Sequence, residues 1–151
     1  MEMSEDILPA LKPRPEARMA AVQALYQIEQ GGSTADRVMR QFLDHRLSET
    51  ADIALFESLV TGTVKVTAQL DQQIAPALSD KWRLDRIDAT LRAILRCGVF
   101  EMTHAAETPA RVLLDAYVDL AAAFFDDKEV AFINAVLDRL TRDIRPGSLA
   151  G

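Results

Sequence analysis

Apolar residues recur at three- and four-residue spacing along nearly the whole chain, from about residue 14 onward. This spacing follows the turn of an α-helix and places the apolar side chains on one helix face. Glycine at 31–32 and the Thr108-Pro109 pair interrupt the pattern where one helix can end or another begin. We find no alternation of apolar and polar residues, which would be typical of strands. The pattern therefore predicts an all-α protein, a compact bundle of about seven helices.

The same pattern predicts how the chain is divided. The first residues show no period and contain two prolines, as expected of a flexible N-terminal arm. Within the helical region, the polar stretch Ser-Asp-Lys-Trp interrupts the pattern, and Ser79 or Asp80 can cap the helix that follows. The predicted divisions are the arm, one domain made of two small three-helix subdomains, and a short tail, at residues 1–13, 14–146 (about 14–80 and 81–146) and 147–151.

Composition narrows the class of protein. Apolar residues make up 49% and charged residues 26% of the 151 residues, as in globular proteins. No apolar run approaches the roughly 18 residues that span a bilayer, so we expect no membrane segment. The chain has one cysteine, Cys97, and cannot form an intrachain disulfide. A reducing cytoplasm is therefore the expected location.

The sequence contains no pattern typical of a catalytic or cofactor site. It lacks both common nucleotide-binding glycine loops, and it has only two histidines. Cys97, Glu101 and His104 are spaced to share one helix face, which is a weak metal-site pattern. Burial of Cys97 on an apolar helix explains its position better. Nothing in the sequence therefore resembles an active site, and we predict no metal or cofactor.

The last helix carries an aromatic residue outside its apolar stripe. On a helical wheel centred on Ile133, Phe132 lies about 100° to one side and Asn134 about 100° to the other. Arg139 follows Phe132 by seven residues and lies on the same flank. An aromatic ring beside a guanidinium can stack an unpaired base. The alternative is that Phe132 packs under a neighbouring helix, as aromatic residues usually do, and we interpret Asn134 as structural.

Four segments of the chain resemble, in this order, blocks of the NusB family of bacterial transcription antitermination factors. The resemblance extends over about residues 14–146, nearly the whole chain. No single block is specific, because apolar helical patterns are common, but the ordered set is. The segments are ARMAAVQALYQIE (17–29), WRLDRIDATLRAILRCGVFEM (82–102), TPARVLLDAYVDLA (108–121) and FINAVLDRL (132–140).

The resemblance implies an all-α fold of two three-helix units and a function in recognition rather than catalysis. Members of the family bind boxA, a short single-stranded RNA element found notably in ribosomal RNA leaders. They bind it together with NusE, a small-subunit ribosomal protein. The pair joins other Nus factors and helps RNA polymerase to read through terminators.

The resemblance also implies roles for individual positions. The expected RNA-binding residues include Arg139, taken from the helical wheel, and positions that match the family's arginine-rich start, first-helix tyrosine and last-helix phenylalanine. Three residues of the central helix are candidates for the NusE surface. The RNA-binding set is Arg14, Arg18, Tyr26, Lys128, Phe132 and Arg139, and the NusE-binding set is Arg92, Arg96 and Glu101.

Several features depart from the family pattern and concern RNA affinity. Pro15 and Glu16 dilute the N-terminal arginine cluster, and the whole chain has a net charge of -6. Fewer cations release fewer counterions from RNA, so we expect weaker binding and a shallower dependence on salt. Lys128 stands where many members carry an acid, which partly restores positive charge.

Two other functions are left open by the residues. A NusB-like domain also forms the N-terminal part of an rRNA cytosine methyltransferase. Because no cofactor-binding glycine loop follows the helical domain, this chain would then be a fragment. The acidic net charge also suits a protein-interaction bundle that binds no RNA. A bundle with apolar edges can pair with itself, so a homodimer is a further expectation.

Overall fold

The computed structural model describes residues 11–149, so most of the predicted arm and the last two residues of the tail lie outside the described residues. Within residues 11–149 the chain forms seven α-helices and no strand, which confirms the predicted all-α class. A short 3-10 turn, Ala75–Ala77, follows the fourth helix. The helices are α1 (Pro13–Gly31), α2 (Ala35–His45), α3 (Ile53–Lys65), α4 (Thr67–Ile74), α5 (Ala89–His104), α6 (Ala110–Ala122) and α7 (Asp127–Ile144).

The chain divides after Lys65 into two compact units. In the first unit α1 packs on α2 and α3, and in the second unit α5 packs on α4, α6 and α7. The sequence analysis placed the division near residue 80 and expected three helices on each side. The structure places α4 in the second unit because α4 packs on α5, so the second unit has four helices.

Local sequence explains several helix ends. Gly32 ends α1 in the left-handed conformation, at φ 68°, which glycine adopts without strain. Thr34 caps α2 by accepting a hydrogen bond from the Arg37 backbone N–H. Asp88 caps α5, accepting from the backbone N–H groups of Thr90 at 2.7 Å and Leu91 at 3.3 Å. The helix predicted to begin at Ser79 or Asp80 therefore begins at Ala89, and residues 78–88 form a connecting segment.

Helix α5 is the centre of the second unit. Its residues are buried around almost the whole circumference, which is typical of a helix enclosed by others. Gly98 allows the closest approach, because a Cβ atom there would lie 3.3 Å from Cγ of Tyr117 and 3.4 Å from Cδ2 of Leu137. Those two residues belong to α6 and α7, so the three helices meet at this glycine.

Two polar arrangements hold the same three helices together. The buried hydroxyl of Tyr117 donates to Oε1 of Glu101 at 2.7 Å and lies 3.3 Å from Sγ of Cys97. Burial, followed by the nearby Cys97 and Glu101, raises the pKa of Tyr117 well above its ordinary value. At the end of α7, the Arg145 guanidinium donates to three backbone carbonyl oxygens, one in the last turn of α5 and two in the loop that joins α5 to α6. These are the oxygens of Met102 at 2.9 Å, Ala105 at 2.7 Å and Thr108 at 2.6 Å.

None of the helices within residues 11–149 is both long enough and apolar enough to cross a membrane.

Candidate nucleic-acid interface

The inner face of α7 follows the predicted apolar stripe. Ile133, Val136, Leu137 and Leu140 are buried, while Asn134 is exposed on one flank of the helix. The exposure of Asn134 means that its amide lies beside the apolar stripe rather than within it. An exposed amide has water as a hydrogen-bond partner, so this position does not require the structural role that the sequence suggested.

Phe132 lies on the other flank and is partly exposed. Its ring packs against Trp82, with 5.5 Å between the ring centroids and 56° between the ring planes. This distance falls within the range of favourable aromatic pairs. Trp82 belongs to the connecting segment 78–88 and remains 46% exposed. Phe132 therefore packs against an aromatic residue of the connecting segment and keeps part of its ring exposed.

The sequence analysis did not select Trp82 as a site residue. It assigned this stretch to the start of a helix, where one aromatic side chain has no special meaning. The available signal was compositional, because Trp82 is the one tryptophan of the chain and stands between Lys81 and Arg83.

The cations on α7 are exposed but are mixed with carboxylates. Lys128 precedes Phe132 by one helical turn and lies between Asp127 and Glu129, both in the first turn of the helix. Arg139 is exposed two turns after Phe132. The local charge of this helix face is therefore small. An anionic ligand would gain less here from charge than from contact with the rings.

On α1 the predicted RNA-binding residues differ in exposure. The Arg14 side chain is 56% exposed, and its Nε lies 3.7 Å from a carboxylate oxygen of Asp52. Tyr26 is partly exposed, whereas Arg18 is only 5% exposed. The two arginines are one turn apart, but the buried part of α1 begins at Glu16. Arg14 and Tyr26 can reach a ligand, and Arg18 presents almost no surface to one.

The residues predicted to bind NusE have intrachain partners. Arg92 donates from Nη1 to the carbonyl oxygens of Leu84 and Ile87, both at 3.0 Å. Arg96 on α5 forms two hydrogen bonds of 2.7 and 2.8 Å with the carboxylate of Asp71 on α4. Glu101 is 3% exposed and accepts the hydrogen bond from Tyr117 described above. The structure thus gives these three side chains roles in holding the second unit together.

The weak metal pattern of the sequence is not assembled. Cys97 and Glu101 both approach Tyr117 in the core, while the His104 ring stacks on Phe100 with 4.2 Å between the centroids. In the part of the chain that the structure describes, no three histidine, cysteine, aspartate or glutamate side chains are grouped so that they could hold a metal ion.

The described residues form a small all-α protein with a partly exposed aromatic pair, Trp82 and Phe132. The sequence profile of the NusB family matches residues 15–142, and the chain belongs to the NusB family. This confirms the predicted family and, with it, the prediction of a protein that is not an enzyme.

Named relatives agree with this assignment. A transcription antitermination protein NusB from Maricaulis maris is 48% identical over 141 residues, 88% of each chain. The protein of the same name from Caulobacter vibrioides is 43% identical over 143 residues, covering 89% of this chain and 96% of the relative.

Solved structures have the same fold. NusB of T. maritima is 26% identical, with a TM-score of 0.76 over 90% of this chain and 96% of that one. A crystal structure of the antitermination factors NusB and NusE in complex with double-stranded RNA contains a chain of 24% identity and TM-score 0.75. It covers 84% of this chain and 94% of that chain, and at this identity the likeness concerns the fold.

Proposed function

We propose that the chain is a transcription antitermination factor. It binds boxA-type single-stranded RNA together with NusE and supports read-through by RNA polymerase, notably in ribosomal RNA operons. The observation that carries this proposal is the partly exposed ring of Phe132 on the flank of α7, between the exposed cations Lys128 and Arg139. The names of the relatives support it, as does the solved complex of NusB and NusE with RNA, which in that structure is double-stranded.

The mechanism is recognition without a chemical step. A base of the single strand stacks on Phe132, and exposed cations contact the phosphates on either side. Lys128 and Arg139 serve this role in the second unit, and Arg14 and Tyr26 are the proposed RNA contacts of the first. The burial of Arg18 gives it a structural role in this proposal.

In this proposal NusE compensates for the unfavourable charge of this chain toward RNA. A protein with a net charge of -6 repels a polyanion at long range, so we expect this chain to bind RNA weakly when NusE is absent. A partner that contacts the same RNA raises affinity without any new contact from this chain. We do not place the NusE surface at Arg92, Arg96 or Glu101, because their hydrogen bonds lie within the second unit. Other Nus factors and RNA polymerase complete the proposed cytoplasmic assembly.

A titration tests this function. A fluorescently labelled boxA RNA is titrated with the protein alone and with equimolar NusE, at two salt concentrations, against a scrambled RNA of the same length. We expect binding that strengthens with NusE, weakens with salt and is lost with the scrambled RNA. No binding by the folded protein in either mixture would contradict the proposal and favour a protein-interaction bundle.

A further inference from the structure

Trp82 is a large apolar residue that the fold leaves 46% exposed. The other large apolar residues exposed among those described are aliphatic: Ile53, Val64 and Val112. Trp82 differs from them because its indole is paired with a second aromatic ring, that of Phe132. Two adjacent rings with a remaining exposed area resemble the stacking surfaces that proteins use for unpaired bases.

The backbone around Trp82 is fastened. Its N–H donates to the carbonyl oxygen of Ser79 at 2.9 Å, which closes a turn. The next turn is closed by hydrogen bonds from the N–H groups of Arg86 and Ile87 to the carbonyl oxygen of Arg83, at 2.9 and 3.1 Å. The backbone that carries the Trp82 ring is thus held by hydrogen bonds before a ligand arrives, which reduces the conformational entropy lost on binding.

Arg92 connects this segment to the central helix. From α5 it donates to the carbonyl oxygens of Leu84 and Ile87, and the Ile87 side chain is itself buried. These contacts hold the part of the segment that directly follows Trp82. Arg92 therefore acts as a positioning residue, through the backbone that carries Trp82.

Two partly exposed rings with cations at their border suit an unpaired nucleotide better than an apolar peptide. Lys81 and Arg83 flank Trp82 and are exposed, and Lys128 precedes Phe132 by one turn. Asp85 lies 3.4 Å from Arg83, and Asp80, Asp127 and Glu129 stand next to the two lysines, so the net charge beside the rings is small although cations border them. An unpaired nucleotide matches rings bordered by cations, because its base is aromatic and its phosphate is anionic.

We propose that Trp82 is a second stacking residue, which forms with Phe132 an aromatic platform for one unpaired base of the RNA. This inference rests on the proposed function and deepens it. It assigns a base contact to the connecting segment before α5, and it gives Arg92 the role of holding that segment in place.

The single tryptophan makes the contact directly measurable. The intrinsic fluorescence of the wild-type protein with NusE is followed while unlabelled boxA RNA is added, and the signal of NusE alone is subtracted. We expect quenching that saturates at the same RNA concentration as binding measured with labelled RNA. The same RNA annealed to its complement is expected to leave the fluorescence unchanged, because its bases are already paired.

Variants separate stacking from folding. Trp82→Leu is expected to weaken RNA binding by about tenfold, and Trp82→Phe, which keeps an aromatic ring, by less than about threefold. Val112→Ala is the matched control, since Val112 is 52% exposed in the same unit and carries no ring. Circular dichroism and thermal unfolding establish that each variant is folded.

The outcomes distinguish the two proposals. If wild type binds RNA, but Trp82→Leu binds equally well and the fluorescence does not respond, the platform is wrong and the proposed function stands. The same conclusion follows if Trp82→Leu lowers only the unfolding temperature. If wild type fails to bind boxA RNA even with NusE, the proposed function itself fails. If Trp82→Leu does not fold, the platform is tested by the wild-type fluorescence titration and by the RNA binding of Trp82→Phe.

Discussion

The hydroxyl of Tyr117 donates a 2.7 Å hydrogen bond to the carboxyl group of Glu101, and both side chains are buried between α5 and α6. Glu101 would otherwise place a polar group in an apolar interior, where an unpaired carboxyl group is costly. The bond therefore joins two helices and also satisfies the one acidic side chain of α5. Because Glu101 is buried, it has almost no surface with which to contact a partner protein.

Removing this hydroxyl should destabilise the protein. Tyr117→Phe keeps the ring but leaves Glu101 without that donor, which costs about 1–3 kcal/mol in the free energy of unfolding. Urea unfolding followed by circular dichroism measures the loss. Tyr26→Phe is the matched control, because Tyr26 is partly exposed and its hydroxyl can exchange partners with water. An unchanged urea midpoint for Tyr117→Phe would contradict this account.

The same tyrosine predicts a loss of stability in alkali. Burial raises the pKa of Tyr117 in the folded protein above the value near 10 expected when the chain is unfolded. Above about pH 10 the unfolded chain therefore binds fewer protons at this site than the folded chain, and the free energy of unfolding falls as pH rises. Below that pH the contribution is constant.

Comparison of wild type with Tyr117→Phe isolates this dependence from that of other groups. The two proteins should differ by a constant amount at neutral pH, and the difference should shrink as pH rises above about 10. Urea unfolding at a series of pH values measures it. A difference that stays the same up to the alkaline limit would show that burial does not raise the pKa of this tyrosine.

Replacing Arg145 should lower the free energy of unfolding more than replacing an ordinary surface arginine. Its guanidinium donates three hydrogen bonds to backbone carbonyl groups at the end of α5 and the turn that follows. Arg145→Ala should lower the free energy of unfolding by roughly 2–3 kcal/mol, and Arg145→Lys should restore only part, since an ammonium lacks the planar fork. Thermal and urea unfolding measure both variants.

Arg111→Ala provides the comparison for Arg145. Arg111 is exposed and lies 4.0 Å from Asp115, a surface pair expected to contribute less than about 1 kcal/mol. Equal effects of the two alanine variants would mean that the three carbonyl contacts contribute nothing beyond an ordinary surface charge.

The Arg96–Asp71 pair should couple α4 to α5. The two hydrogen bonds of 2.7 and 2.8 Å form a bidentate pair, and the Arg96 side chain is only 17% exposed. A double-mutant cycle with Arg96→Ala and Asp71→Ala should give a coupling energy of about 1 kcal/mol, allowing for the partial exposure of Asp71. Additive effects on unfolding would contradict the pair. Titration of NusE with folded Arg96→Ala separately tests the predicted partner role.

Phe132→Ala should weaken RNA binding while NusE binding is retained. Removing one stacking ring costs about 1–3 kcal/mol of binding free energy. Anisotropy of labelled boxA RNA, with NusE present, measures the change. Asn134→Ala is the matched control, because Asn134 is exposed on the opposite flank of the same helix. If the two variants bind RNA equally well, the stacking role assigned to Phe132 is wrong.

The sequence by itself determined the fold class and the family. Helix periodicity depends on neighbours along the chain, so the spacing of apolar residues was enough to identify the inner face of α7. The two glycines likewise placed the end of α1, because helix termination is a local property, although the residue that caps α2 is Thr34 and not Ser33 as the sequence suggested. Ordered blocks of such patterns were enough to identify the NusB family.

Only the tertiary structure decided which side chains are available. A helical wheel gives the direction of a side chain on its own helix but not which other helix covers it. The sequence therefore predicted Arg18, Arg92 and Glu101 to be surface residues, whereas the structure buries them. The pairing of Trp82 with Phe132 joins residues fifty positions apart, one of them in a segment without periodicity, so no local pattern could indicate it. The boundary between the units depended in the same way on long-range packing of α4 against α5.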